Sequence, residues 1–193
     1  MLVVGLGNPG VQYASTRHNV GWRVLAALES RWRTAPGASE PLYRTRRAEV
    51  AGRSVELMWP LTYMNESGRA LASWLANRPG EESQVLVVSD DVYLPMGTLR
   101  FRPQGSSGGH RGLESIEVSL ASRSFARLRI GVGHVDAAEL REHVLDGFEA
   151  EEEAVMGEVI PRAAEAVECW VVDGIEAAMN RFNRRLDKEA EAP

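Results

Sequence analysis

Three short polar segments each follow an apolar run, and together they hold the side chains that hydrolytic chemistry uses. The first carries Asn8, Tyr13, His18 and Asn19 behind the run Met1–Val4. The second is Pro60-Leu61-Thr62-Tyr63-Met64-Asn65-Glu66-Ser67-Gly68. The third is Asp90-Asp91 behind Val85-Leu86-Val87-Val88, joined by the loop Gly105-Ser106-Ser107-Gly108-Gly109 that leads to His110. An imidazole titrates near neutral pH, so His18 is the candidate general base. The plainer alternative is a histidine that caps or is solvated at a helix start. A carboxylate at a strand tip, as Asp90 would be, can orient a histidine and favour its charged form. It can equally be a turn or cap acid. Asn8 and Asn65 can hold a water, a carbonyl or a terminal sugar through side-chain hydrogen bonds. Their plain readings are a turn residue and a helix N-cap.

The glycines invite two further readings. Gly5, Gly7 and Gly10 match the G-x-G-x-x-G dinucleotide fingerprint. That fold needs an apolar helix directly afterwards and an acid at the end of the second strand for the ribose. The chain instead offers Gln12, Tyr13, Ser15, Thr16, Arg17, His18 and Asn19, and Glu29 falls inside a helical run. A reaction site therefore fits better than a cofactor grip. The Gly-Ser-Ser-Gly-Gly loop can present backbone N–H groups to an anion at a helix start. Without a Lys-Ser/Thr ending it is not a nucleotide-hydrolysing P-loop. The nearby Arg100, Arg102 and Arg111 favour an anionic ligand. Ser106 and Ser107 lack a nucleophile-elbow pattern. Four histidines and the single Cys169 show no metal-ligand spacing, and Cys169 falls on the apolar side of a late helix.

These residues need elements to position them. Leu2–Leu6 reads as a short strand buried on both faces. Val20, Val24, Leu25, Leu28 and Trp32 recur at helical spacing and describe a helix over roughly residues 19–33. Thr34–Pro41, with two prolines and a glycine, reads as a loop. Tyr43–Val50 and Ser54–Pro60 flank Ala51-Gly52-Arg53 as a β-hairpin. Asn65 is placed to cap a helix reaching about Asn77, which Pro79-Gly80 ends. Val85–Val88, Thr98–Arg102 and Phe125–Gly133 read as strands, with a helix from His110 to about Ala121 between the last two. Two helices close the chain: one carries Val155, Met156, Val159, Ile160, Ala163, Val167, Trp170 and Val171 on one face, the other runs from Ile175 toward Leu186. Strands alternating with helices predict an α/β fold. The expected form is a three-layer α/β/α sandwich around a mixed, mostly parallel sheet, in one domain.

The chain has 193 residues with 44% apolar and 25% charged residues, ordinary for a globular domain. No stretch is long and apolar enough to span a membrane. Nothing signal-like opens the sequence, and one cysteine excludes an internal disulfide, so a cytoplasmic setting is expected. The formal charge of −5 conceals an asymmetry. Residues 1–135 hold 16 arginines against 11 acids, whereas residues 136–193 hold 6 basic residues against 16 acids. A partner on one face meets the local field rather than the total, so a nucleic-acid ligand is compatible with the net charge.

Taken jointly and in this order, the segments closely resemble the bacterial-type peptidyl-tRNA hydrolase family. The matching pieces begin with Val4-Gly5-Leu6-Gly7-Asn8-Pro9-Gly10, Tyr13, Thr16-Arg17-His18-Asn19-Val20-Gly21, and Pro60 with Thr62-Tyr63-Met64-Asn65 and Ser67-Gly68. They continue with Asp90-Asp91, Leu94-Pro95, Gly97, Leu99-Arg100, Gly105-Ser106, Gly108-Gly109-His110 and Arg127-Leu128-Arg129-Ile130-Gly131-Val132-Gly133. The resemblance spans nearly the whole chain. It implies one domain over residues 1–187 with a charged tail at 188–193, expected to fray. It also implies a monomer, without metal or cofactor, that cleaves the ester joining a peptide to the terminal adenosine of tRNA.

Carried across, the family pattern makes His18 the base and Asp90 its partner. Asn8 and Asn65 bind the reacting ester, its water or the peptide end, with Tyr13 and Met64 lining the cleft and His110 near the substrate. Arg102 falls where the family holds a basic residue against tRNA phosphate. Two positions depart from the pattern. Arg111 stands where the family usually has Asn, exchanging a donor–acceptor for a donor with charge, and is expected to meet backbone phosphate instead. Tyr93 stands where an Asp is common. The competing readings are a relative that binds RNA without hydrolysis and, on the glycines alone, a dinucleotide-dependent oxidoreductase.

Overall fold

Strand side chains alternate between the two faces of a sheet, and here both faces are buried. The computed structural model describes residues 1–76, 78–135 and 139–183. The strands are β1 (Leu2–Gly5), β2 (Ala35–Ser39), β3 (Tyr43–Val50), β4 (Arg53–Pro60), β5 (Val85–Asp91), β6 (Leu99–Arg102) and β7 (Ala126–Gly131). The helices are α1 (Val20–Arg31), α2 (Ser67–Leu75), α3 (Arg111–Leu120), α4 (Leu140–Leu145), α5 (Ala150–Asp173) and α6 (Ile175–Phe182). The seven strands form one sheet in the order β2-β3-β4-β1-β5-β7-β6. Strands β4, β1, β5 and β7 are parallel, while β2–β3, β3–β4 and β6–β7 pair antiparallel.

Val3, Leu57, Leu86 and Leu128 pack on one face with α1, α5 and α6. Leu2, Val4, Met58 and Val87 pack on the other with α2 and α3. This is the three-layer α/β/α sandwich around a mixed sheet. Two of the glycines serve its packing. A Cβ on Gly21 would lie 2.6 Å from the backbone N and O of Leu6 and the O of Val88, and one on Gly5 would lie 2.5 Å from the Gly21 carbonyl. The first turn of α1 therefore rests directly on backbone, and the segment before it is held tightly over the ends of β1 and β5. Close helix–strand approach, not a dinucleotide, accounts for these positions.

Several expected boundaries move. Residues 35–39 are a strand rather than a loop: β2 sits on the sheet edge, where Pro36 needs no ladder partner on its outer side. The run Val85–Val88 continues in the sheet through Asp91, because the backbone of Ser89–Asp91 keeps pairing with Arg129–Gly131 whatever its side chains. Strand β7 is shorter than Phe125–Gly133. Asn65 does not cap α2. It lies within a 3-10 turn, Met64–Glu66, and α2 begins only at Ser67 with no side-chain cap. Helix α4 was not anticipated, since six residues are too few to show a helical period. Asn77, the expected stretch of α6 to Leu186 and the charged tail at 188–193 lie outside the described residues.

Candidate active site

The chain leaves β1 for β4 on one side of the sheet and returns to β5 on the other, so the strand order reverses beside β1. Open α/β sheets place ligands in the crevice beyond the carboxyl ends of such strands. A cavity of about 630 Å³ opens there. Asn8, Tyr13, His18, Met64, Asn65, Asp90, His110 and Arg111 all line it, although they come from segments far apart in sequence. Arg102 does not. It is exposed on edge strand β6 opposite Arg127, three register steps from the Leu99–Ile130 pair that lies level with Asp90.

Asp90 is the centre of the arrangement. Its Oδ1 receives His18 Nδ1 at 2.8 Å and His110 Nε2 at 2.9 Å. The two rings lie 4.9 Å apart between centroids, tilted by 47°. Which nitrogens carry protons follows from the surroundings. His110 is the N-cap of α3, and its Nδ1 accepts the backbone N–H groups of Gly112 (3.1 Å) and Leu113 (3.3 Å). An acceptor carries no proton there, so the proton of His110 sits on Nε2 and points at Asp90. His18 likewise directs Nδ1–H to the carboxylate, which leaves its Nε2 lone pair as the free end in the cavity.

Burial alone would lower the pKa of His18, but the charge of Asp90 and the hydrogen bond to it outweigh burial and raise it above the ordinary 6.5. Burial would raise Asp90, yet the attraction of His18 and His110 and their hydrogen bonds hold it well below the usual carboxylate range. Asp90 therefore stays ionised beside an imidazole whose pKa is raised.

Asn8 follows β1 and is fixed at three points. Its N–H donates to Asn19 Oδ1 at 2.8 Å, its carbonyl accepts Asn19 Nδ2 at 3.0 Å, and its Oδ1 accepts the Met64 N–H at 2.8 Å. With the side-chain oxygen engaged, the amide NH₂ of Asn8 is presented to the cavity as a donor. Asn65, freed from any capping role, is exposed on the same rim. Arg111, the first residue of α3, is exposed at the mouth.

Other lining residues, among them Asp91, Tyr63 and Tyr93 of the segments already named, carry no role that the sequence assigned. Asp91 Oδ2 lies 2.9 Å from Arg129 Nε, and its Oδ1 accepts the Tyr93 N–H at 2.9 Å, so one carboxylate braces two further wall residues. Tyr63 and Tyr93 stand more than half exposed on the rim. Leu140, Arg141, Val144 and Leu145 of α4 close one side. Among the described residues, His18, Asp90 and His110 form a group whose ligand atoms lie within 4.8 Å of one another. Ligation of a metal by His110 Nε2 would require its proton to move to Nδ1, against two backbone N–H groups. The donor set fits a hydrogen-bonded relay better than a metal centre.

The chain matches the family model described as peptidyl-tRNA hydrolase over residues 2–191. A peptidyl-tRNA hydrolase of Synechococcus sp. (strain JA-3-3Ab) is 46% identical over 185 residues, covering 94% of this chain and 82% of that one. One of Methylacidiphilum infernorum (isolate V4) is 43% identical over 184 residues, covering 94% and 97%. A crystal structure of peptidyl-tRNA hydrolase from Acinetobacter baumannii superposes with a TM-score of 0.88 at 32% identity, covering 94% of this chain and 93% of that one.

Proposed function

The chain belongs to the peptidyl-tRNA hydrolase family, and from that premise we propose that its cavity hydrolyses the ester joining peptide to tRNA by a water that His18 activates. The observation that carries this reading is the orientation of His18, with Nδ1–H committed to Asp90 and Nε2 left free in the cavity that Asn8 also lines. Water attacks the ester carbonyl carbon as Nε2 takes its proton. The charge developing on the carbonyl oxygen meets the Nδ2–H of Asn8, with Asn65 as a second donor at the rim. Collapse breaks the bond to the ribose oxygen, and the imidazolium returns the proton to that leaving group. The products are a free peptide carboxylate and a free tRNA. Asp90, held ionised, stabilises the imidazolium between the two transfers.

His110 donates to Asp90 through a nitrogen whose tautomer the α3 cap sets, so it acts through Asp90 and borders the substrate. Tyr13 and Met64 shape the cleft for the acylated end of the tRNA. Arg111 at the mouth and Arg102 outside the cavity supply phosphate contacts, which give affinity without sequence readout. The protein acts as a monomer and without a cofactor. Among the described residues no helix is long and apolar enough to cross a membrane.

The test is release of the acylated amino acid from an N-acetylated aminoacyl-tRNA, in chelator-treated buffer, by the wild type and by His18→Ala. Release by the wild type, reduced about 10²–10⁴-fold in the variant with tRNA binding retained, is expected. Binding of tRNA by the wild type with no release would make the chain an RNA-binding relative instead. For Arg111, replacement by Asn should lower the slope of log K against log salt by about one phosphate contact. An unchanged slope removes that role.

A further inference from the structure

We propose that Arg17 is a positioning residue that fixes the α4 wall of the cavity relative to the backbone that carries His18. The inference deepens the hydrolytic reading and rests on it. Arg17 and His18 are neighbours in a 3-10 turn, Arg17–Asn19, yet they serve opposite sides. His18 lines the cavity, while Arg17 is only 5% exposed and reaches the corner between α4 and α5. There its Nη1 donates to the carbonyls of His143 (3.3 Å) and Gly147 (2.6 Å), and its Nη2 donates to Glu152 Oε2 (2.5 Å). The backbone joins in: the Arg17 N–H donates to the Asp146 carbonyl at 3.0 Å, and Thr16 bridges Gly147. The guanidinium also lies 5.2 Å from the centre of the Phe148 ring.

The grip is tied into the next helix as well. Glu152 Oε2 is the same oxygen that accepts the Glu149 N–H and completes the capping box of α5. One carboxylate thus caps the start of α5 and anchors Arg17. Helix α4 has few attachments of its own. None of its residues is fully buried, and on its inner side the His143 ring reaches the Val132 carbonyl at 3.2 Å. Leu140, Arg141, Val144 and Leu145 of the same helix face the cavity. A six-residue helix is marginal by itself, so its place depends on such ties. Arg17 is buried and charged, it stands outside the cavity lining, and its fork is matched to two carbonyls and a carboxylate at once. A fork of that shape is what lysine lacks. The arrangement holds the substrate wall in register with the base, one residue away in the chain.

Two conservative variants loosen this tie, with thermal unfolding as the check that each is folded. Arg17→Lys retains the charge beside Glu152 and loses the fork. Glu152→Gln keeps an acceptor for the Glu149 N–H and removes the charge. Glu153→Gln, which weakens the neighbouring pair with Arg23 and leaves Arg23 over the Phe148 ring, is the control. Backbone hydrogen exchange over residues 140–145 should accelerate about tenfold in the first two and not in the control, the scale of losing one charge-assisted hydrogen bond. In the ester assay KM should rise about five- to tenfold, with kcat within about twofold and the acid limb of the pH profile unmoved, because Asp90 still holds His18. Exchange at wild-type rates in both variants overturns the proposal, as does a fall in kcat at unchanged KM. Should the wild type itself release no product, the hydrolytic reading fails, and the exchange measurement alone still judges the Arg17 tie.

Discussion

The replacement of Asp90 by asparagine isolates what the carboxylate charge does, because the structure protects the geometry around it. Asparagine can turn either its oxygen or its NH₂ toward His18. With the NH₂ inward, His18 would have to accept at Nδ1, its proton would move to Nε2, and the proposed base would be lost. His110 prevents this. Its Nδ1 accepts the Gly112 and Leu113 N–H groups, so its Nε2–H needs an acceptor at the very position of Asp90 Oδ1. The oxygen of the introduced amide therefore stays where both rings need it, and only the charge is removed.

The contact is short, 2.8 Å between His18 Nδ1 and the carboxylate oxygen. Charge centres about 4 Å apart interact by about 4 kcal/mol at an effective dielectric near 20, which sets the upper bound. The difference between a charged and a neutral hydrogen bond, about 1–2 kcal/mol, sets the lower. At about 1.4 kcal/mol per factor of ten, kcat/KM should fall about tenfold to a thousandfold. Where the tautomer is lost as well, removal of such an aspartate costs about 10⁴. The double variant Asp90→Asn/His110→Ala, free to turn its amide, should approach that larger loss and exceed the product of the single effects. The assay is single-turnover release from N-acetylated aminoacyl-tRNA, with thermal unfolding as the control for folding. A loss below about threefold in Asp90→Asn, or strict additivity in the double variant, refutes the reasoning.

Further outcomes follow from the same geometry. With His18 as the proposed base, activity needs its neutral form, and its pKa is raised because the Asp90 charge and bond exceed the lowering by burial. The rate should therefore climb with pH through a midpoint above 6.5, and a midpoint at or below the ordinary value counts against the pair. Asn8→Asp keeps an acceptor for the Met64 N–H and replaces the donor facing the cavity, so kcat should fall about 10²–10³-fold with little change in Tm. Asn8→Ala should in addition lose about 1–3 kcal/mol of stability in denaturant titration, since the Met64 N–H is left unpaired. Equal stability of the two variants would mean that Oδ1 does not hold Met64. Gly21→Ala should destabilise by about 1–3 kcal/mol despite the better helix propensity of alanine. Its Cβ would meet the Leu6 and Val88 backbone at 2.6 Å, which cannot turn aside; a raised Tm would show that α1 docks less closely.

Local order was legible in the residues themselves. The helical spacing from Val20 to Leu28, the hairpin around Ala51-Gly52 and the apolar runs at Leu2 and Val85 report burial, and burial is a periodic property of a short stretch. The resemblance went further and named His18, Asp90, Asn8, Asn65 and His110 together, because their types and neighbours are specific even without a structure. What the chain could not show locally is which atom serves which partner. Asn65 stands where a cap belongs, but the 3-10 turn at Met64–Glu66 moves the helix start past it and turns it to the rim. Arg102 shares a basic stretch with the site, yet the antiparallel register of β6 carries it away from the cavity. Helix α4 has too few residues to announce itself, and the strand at residues 35–39 exists only because β3 offers it an edge.

Sequence alone determined the fold class, most of the elements, though not β2 or α4, and a set of candidate side chains for the chemistry, since those depend on residue type and spacing along a few turns. Tertiary structure decided that two histidines converge on a single oxygen of Asp90, that the cap of α3 sets the proton on one of them, and that Arg17 ties the far wall to the turn that carries His18. Those relations join segments as much as 135 positions apart. They depend on strand order and register, and no local pattern encodes either one.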